Sequence, residues 1–173
     1  MAAQEGAREQ RVRCAMTESG FQVEGLKPLS QQHGSGVWLA HFAGSTSIVK
    51  TGPTENISAE AWGLRALRSI EGVWSPKVIQ TWSEAGKGYL LMEYVPSRSA
   101  NDQDMARLGE MVATLHGKVS DQFGGETNNF IGSLHQDNTT APSWSDFWWE
   151  RRIGPQLDLA KDQGYNLIQA YPD

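Results

Sequence analysis

The chain has 173 residues, 39% hydrophobic and 20% charged, enough for one domain with a real core or for one lobe and part of another. Fifteen Lys and Arg against 20 Asp and Glu leave a net charge of −5, which argues against a surface built for nucleic acid. No apolar run approaches the roughly 20 residues of a membrane span, and Cys14, the only cysteine, allows neither an internal disulfide nor a thiolate metal site.

The first sixteen residues carry Glu5, Arg8, Glu9, Arg11 and Arg13 and lack the apolar stretch of a secretory signal. Residues 1–20 therefore read as a disordered leader, and the protein as cytoplasmic, with organellar targeting by this Arg-bearing segment as the alternative. Asn56-Ile57-Ser58 and Asn138-Thr139-Thr140 match the glycosylation pattern and, in the absence of a signal, read as chance matches.

From Leu26 to Val49 the pattern predicts antiparallel strands. Glycine-bearing turns fall at Gln31 to Val37 and at Ala43-Gly44-Ser45. Gly34 and Gly36 are candidates for a loop over phosphates, because glycine lets backbone N–H groups approach closely. Lys50 shares a strand face with Ile48, since side chains alternate with period 2. Asn56 is the expected N-cap of a helix running to about Ile70. Within it Glu60 lies three after Ile57, four before Leu64 and seven before Leu67, on one face with these apolar residues. A carboxylate on an inward face needs a partner, and Lys50 is the obvious one.

Pro76 to Trp82 reads as a strand, Glu84 to Gly88 as a turn, and Tyr89 to Val95 as a nearly continuous apolar strand buried on both faces, stopped by Pro96. The polar stretch Ser97 to Asn101 is the best domain boundary, and Asn101 or Ser99 caps the next helix. Asp102 and Asp104 then fall in its first turn, and Met105, Leu108, Val112 and Leu115 make its expected buried stripe. His116, at its end, reads as a cap or packing residue. Ser120 to Pro142 is long and irregular. Ser143 with Asp146 then forms a capping box for a helix carrying Trp144, Phe147, Trp148 and Trp149, expected as core packing and interrupted at Gly154-Pro155.

A strand lysine paired with a helix glutamate is the arrangement kinase-like folds use to hold the α- and β-phosphates of ATP. Beyond that pair, Gly63-Leu64, Leu67, Leu91-Met92-Glu93-Tyr94, Leu108-Gly109 and Leu115-His116 resemble the fructosamine kinase (ketosamine 3-kinase, protein-ribulosamine kinase) family. So do Phe123-Gly124, Asn129 to Gly132, Gln136 with Asn138, Trp144 with Phe147, and Glu150 to Ile153. The resemblance spans about Phe21 to Gly164. The residues after Leu108 separate this family from generic small-molecule kinases.

The resemblance implies an α+β fold: a protein-kinase-like N-lobe, an antiparallel sheet plus one helix, over residues 21–96, then the first helices of an α-rich C-lobe over 97–173. It implies transfer of the γ-phosphoryl of ATP to the C3 hydroxyl of a ketosamine, a glycated protein or a small adduct, as a deglycation repair. Lys50 then resembles the phosphate-binding lysine and Glu60 its ion-pair partner. Glu93, Tyr94 and Val95 resemble the adenine-binding linker, with Met92 behind the base. The family's His-Gly-Asp run and later metal-binding aspartate do not occur before Asp173, where His116 is followed by Gly117-Lys118. No catalytic base and no ligand for the Mg2+ expected in the family is therefore assigned here, and the chain reads as truncated and inactive alone. The alternatives are a non-catalytic nucleotide- or partner-binding fragment and a small-molecule kinase of the aminoglycoside or choline type.

Overall fold

The computed structural model describes residues 2–32 and 34–165. The chain folds as two compact units, Met1–Gly117 and Lys118–Asp173.

The first unit is built on a five-stranded antiparallel sheet: β1 (Gly25–Gln32), β2 (Ser35–Phe42), β3 (Ser45–Pro53), β4 (Val78–Glu84) and β5 (Lys87–Glu93), in the order β1-β2-β3-β5-β4. Its hairpins follow from their turn residues. Ala85 (φ 47°) and Gly86 (φ 77°) are both left-handed, as a two-residue turn between right-twisting strands requires. Strand alternation sorts the side chains onto two faces. Trp38, Val49 and Leu91 lie opposite one another in register and look one way, while Lys50 and Leu90 look the other.

Each face is covered by one helix. Helix α2 (Thr54–Arg68) packs Ile57 and Ala61 on Leu90, with Leu64, Val78 and Met92 around them. Its N-cap is Pro53 (φ −55°, ψ 139°), so the expected cap at Asn56 is corrected: the proline fixes an extended residue three positions earlier. Helix α1 (Ala2–Glu18) covers the other face, burying Val12, Ala15 and Met16 among Trp38, Ala40, Val49, Tyr89 and Leu91. The expectation of a disordered leader over 1–20 is thereby overturned. Val12, Ala15 and Met16 are spaced at i, i+3 and i+4, a short stripe that the surrounding charges obscure. The Arg13 guanidinium donates to the Val23 carbonyl at 2.7 Å, and Phe21, Trp82 and Tyr89 stack beside the helix.

After β5, Tyr94 and Val95 leave the sheet and are exposed, so the strand starts and ends two residues earlier than expected. Helix α3 (Asp102–His116) starts on a complete capping box. Asn101 Oδ1 accepts from Asp104 N (2.9 Å), and Asp104 Oδ2 accepts from Asn101 N (3.0 Å). Its expected buried stripe is a correction: Met105, Leu108 and Val112 are 56%, 49% and 40% exposed. The amphipathic period is present, but no described element covers that face. The division into units also keeps α3 with the sheet, where Thr114 approaches Gly72, rather than breaking at Ser97 to Asn101.

In the second unit the expected irregular stretch holds a small hairpin, β6 (Asn129–Ile131) with β7 (Leu134–Gln136), and a bridge between Phe123 and Ala141. Asn138 is buried and ties the loops together. Its Nδ2 donates to the Thr127 carbonyl (2.8 Å) and to Asn129 Oδ1 (3.1 Å), and its Oδ1 accepts from Arg152. Only glycine fits at 124, where a Cβ would stand 2.7 Å from the Asn138 carbonyl oxygen at a φ of 130°. Helix α4 (Trp144–Trp148) runs through a π-helical turn, Trp149–Ile153, into α5 (Gly154–Asp162). Ser143 Oγ caps α4 by accepting from Asp146 N. Pro155 does not break the path because the wider turn absorbs its ring. The Arg151 carbonyl, four residues before Pro155, instead accepts from Arg152 Nη1 at 2.9 Å. The expectation that the aromatic cluster packs as core holds for Phe147 alone. Trp144, Trp148 and Trp149 are 52%, 45% and 59% exposed, corrected because five residues of helix offer only one inward position.

Candidate active site

The residues singled out in the sequence meet, in part, on the α2 face of the sheet. Lys50 sits in the middle strand, flanked in register by Val37 on β2 and Leu90 on β5. These apolar neighbours hold the aliphatic stem and leave the ammonium at the edge of α2. There Lys50 Nζ donates to both carboxylate oxygens of Glu60, at 2.6 and 2.7 Å. Glu60 is placed by Ile57, one turn earlier on α2, which is 4% exposed against Leu90 and Gly88. Both ends of the pair are about one-third exposed (30% and 34%), so water screens it and it contributes little to stability. Its effect is positional. The carboxylate takes two of the three ammonium donors and fixes where the third points.

Lys50 and Glu60 line a cleft of about 270 Å³ with Ser35, Gly36, Gly52 and Asn56. The cleft meets the first turn of α2, whose free N–H groups and dipole favour an anion. Gly36 is required where it stands. A Cβ there would fall 2.9 Å from Trp38 Nε1 and 3.3 Å from Thr51 Oγ1. Gly34, the other expected glycine, does not reach this cleft; with φ at +87° it makes the β1–β2 turn and lines a different cavity, on the α1 face.

Met92, Glu93, Tyr94 and Val95 are not among the residues around the Lys50 cleft. Glu93 lies three residues along β5 from Leu90, opposite Lys50, which is roughly 10 Å of strand. Met92 packs on the α2 cluster beside Leu90. The Glu93 carboxylate accepts from the Lys77 N–H (3.0 Å), and its own N–H donates to the Lys77 carbonyl (2.9 Å), which pins the end of β5 where it leaves the sheet. Ser35 and Asn56 are polar cleft residues that sequence reasoning missed. Asn56 was visible only as a helix-start signal, and nothing in the local pattern tells a cap from a lining residue. Among the described residues no group of three or more His, Cys, Asp or Glu side chains is placed to hold a metal ion, so the donor set for Mg2+ is not met by these residues.

The sequence pattern of the family named Fructosamine kinase matches residues 14–172. The chain belongs to the fructosamine kinase family. It is 38% identical over 110 residues to a probable ketoamine kinase of Synechocystis, covering 63% of this chain and 37% of that protein. With a probable ketoamine kinase of Escherichia coli it shares 35% over 132 residues, 73% and 46% of the two chains. With the chloroplastic protein-ribulosamine 3-kinase of Arabidopsis thaliana it shares 35% over 122 residues, 64% and 37%. The chain thus spans less than half the length of these curated relatives. A crystal structure of a fructosamine-3-kinase candidate from Thermobifida fusca superposes with a TM-score of 0.77 at 29% identity, covering 88% of this chain and 55% of that one. One from Haemophilus somnus gives 0.75 at 25%, covering 83% and 50%. The α+β, kinase-like architecture expected from the sequence is therefore the one present.

Two of the residues after Leu108 that carried the resemblance, Asn138 and Arg152, make contacts within the second unit. Asn138 is the knot of the β6–β7 loops, and Arg152 lies 4.7 Å over the Phe147 ring while donating to the Asp137 carbonyl at 2.7 Å. No helix of the described residues is long and apolar enough to cross a membrane.

Proposed function

We propose that this chain carries the nucleotide-holding part of a ketosamine kinase, which transfers the γ-phosphoryl group of ATP to a sugar hydroxyl of a glycated amine on protein or on a small molecule. The observation that carries this reading is the Lys50–Glu60 pair at the mouth of the cleft beneath the β1–β2 turn. Phosphoryl transfer is largely positioning and charge stabilisation. The third donor of Lys50 would contact α- and β-phosphate oxygens, and the Gly36 and α2 N–H groups would bear on the same charge. Glu93 and Val95, at the exposed end of β5, would offer a carbonyl and an N–H to adenine, with Met92 behind it. This reading names no base and no Mg2+ ligand among the described residues, and it assigns the chain nucleotide binding rather than turnover. The family match favours ketosamines over aminoglycosides or choline, and a substrate panel on a version with the remaining family length separates them.

The test is a Mg-ATP titration of the 173-residue chain followed by amide chemical shifts and calorimetry. Weak binding with a dissociation constant of about 1 mM is expected, with shifts at Gly36, Lys50 and Val95 and their loss in Lys50→Ala. Shifts that persist in Lys50→Ala refute the assignment of the site. A low-micromolar constant, or turnover of a ketosamine, refutes the claim that the residues here are insufficient. A second reading, capture of a partner without catalysis, is favoured by the exposed Met105, Leu108 and Val112 on α3; it predicts no response to ATP at all.

A further inference from the structure

A larger cavity, about 400 Å³, is on the opposite face of the sheet from Lys50, between α1 and the β1–β2 and β4–β5 hairpins. Arg8 and Arg11 enter it from α1, one turn apart, and Lys87 enters from the start of β5. Among the described residues the only carboxylate lining it is Glu84, directly across from Lys87 in the β4–β5 ladder. Three cations against one anion therefore face one concavity. Arg8 donates to Gln31 Oε1 (3.2 Å), while Arg11 makes no hydrogen bond or ion pair among the described residues. Burial, joined by the neighbouring Arg11 and Arg8 charges, pushes the Lys87 ammonium below its usual value.

Two donors beside these cations are buried and have no acceptor among the described residues. One is Gln31 Nε2; the other is the indole Nε1 of Trp38, a residue only 2% exposed that lines the same cavity. A buried N–H without a partner costs free energy, and a cluster of like charges repels itself. One acceptor-rich anion would relieve both.

We propose that this cavity is a binding site for a small ligand bearing a phosphate group, held by Arg8, Arg11 and Lys87 with Gln31 and Trp38 as neutral donors. A net surplus of two positive charges favours a dianion over a carboxylate. Ser35, Gly36 and Thr51 line both this cavity and the Lys50 cleft, so an anion here bears on the wall of the other site through the β1–β2 turn. The five side chains proposed to hold the anion, Arg8, Arg11, Lys87, Gln31 and Trp38, include none assigned to ATP, although Gly36 lines both cavities, and the proposal stands whether or not that assignment does.

Trp38 supplies a reporter. Inorganic phosphate is titrated into the 15N-labelled chain to about 50 mM, with the indole resonance of Trp38 identified by Trp38→Phe and ionic strength held constant with chloride. A saturable shift of that resonance is expected, at least about tenfold weaker in Arg11→Gln and abolished in Arg11→Gln/Lys87→Gln, but kept in Lys50→Ala. Circular dichroism confirms that the variants fold; Arg11 is exposed, so the single variant retains the fold. An immobile Trp38 resonance overturns the proposal. So does an equal response to acetate, or one that survives in the double variant. A response lost in Lys50→Ala instead places the phosphate in the cleft across the sheet and overturns the proposal as well.

Discussion

Two glycine-to-alanine substitutions, chemically identical and in elements packed on one another, should change stability in opposite directions. Gly88 lies in β5 directly beneath the first turn of α2. A Cβ built there stands 2.9 Å from Ile57 Cβ and 2.9 Å from Thr54 Cα. Ordinary carbon contacts lie near 3.5–4.0 Å, so the overlap is roughly half an ångström or more, and Thr54 Cα is backbone that cannot rotate away. Overpacking of this kind costs about 1–3 kcal/mol, partly offset by the roughly 0.5–1 kcal/mol gained when alanine replaces glycine in the unfolded chain. The net expectation is a loss of about 1–2 kcal/mol, or about 2–8 °C in Tm for a chain of this size. Gly63, within α2, has nothing within 4 Å of its Cβ position, so Gly63→Ala should gain about 0.5–1 kcal/mol from helix propensity. Urea unfolding combined with hydrogen exchange of β5 amides measures both and restricts the readout to the first unit. The same clash lifts the turn that carries Ile57, so Gly88→Ala should also loosen the Lys50–Glu60 pair. A neutral or stabilising Gly88→Ala would refute the close seating of α2 on which the placement of Glu60 rests.

Met16 is fully buried where α1 meets the sheet, so Met16→Ala should cost about 2–5 kcal/mol; an unchanged urea midpoint would mean that α1 is a tethered leader after all. Asn138→Ala strips the partners from Thr127, Asn129 and Arg152 together, for an expected loss of about 2–4 kcal/mol in the second unit, read as faster exchange of β6 and β7 amides while the sheet of the first unit is unaffected. The Arg98 guanidinium, at 2.7 and 2.9 Å, and the Asn101 N–H hold the Asp104 carboxyl below the usual carboxylate value. Its contribution to the start of α3 is thus present above that usual value and lost as the pH falls through the lower folded one. Helical signal from α3 should drop only in acid, and a loss beginning near neutrality would point to another group.

What was legible from the residues alone was whatever rests on short periodicities. Strand alternation at Ile48 and Lys50, the helical offsets from Ile57 to Glu60 and Leu64, the Ala85-Gly86 turn and the Asn101 cap are local, and each has a physical signature within about seven residues. The Lys50–Glu60 pair was readable for the same reason: an inward carboxylate demands a cation, and the nearest strand offers one. The Gly36 cleft was half readable, because a glycine announces a turn without saying which face of the sheet the turn will wall.

The tertiary structure decided the rest, because it depends on what meets across distance. Only assembly shows that Val12, Ala15 and Met16 dock on Trp38 and Val49, turning an apparently polar leader into the cover of one sheet face. Only assembly leaves the periodic face of α3 exposed, since amphipathicity states a need for burial and not its supply. Arg8, Arg11 and Lys87 lie more than seventy residues apart along the chain at their extremes, and no local pattern joins them. Sequence determined the pieces and the chemistry they carry; the docking of α1 and α2 on opposite faces of one sheet determined which charges share a cavity.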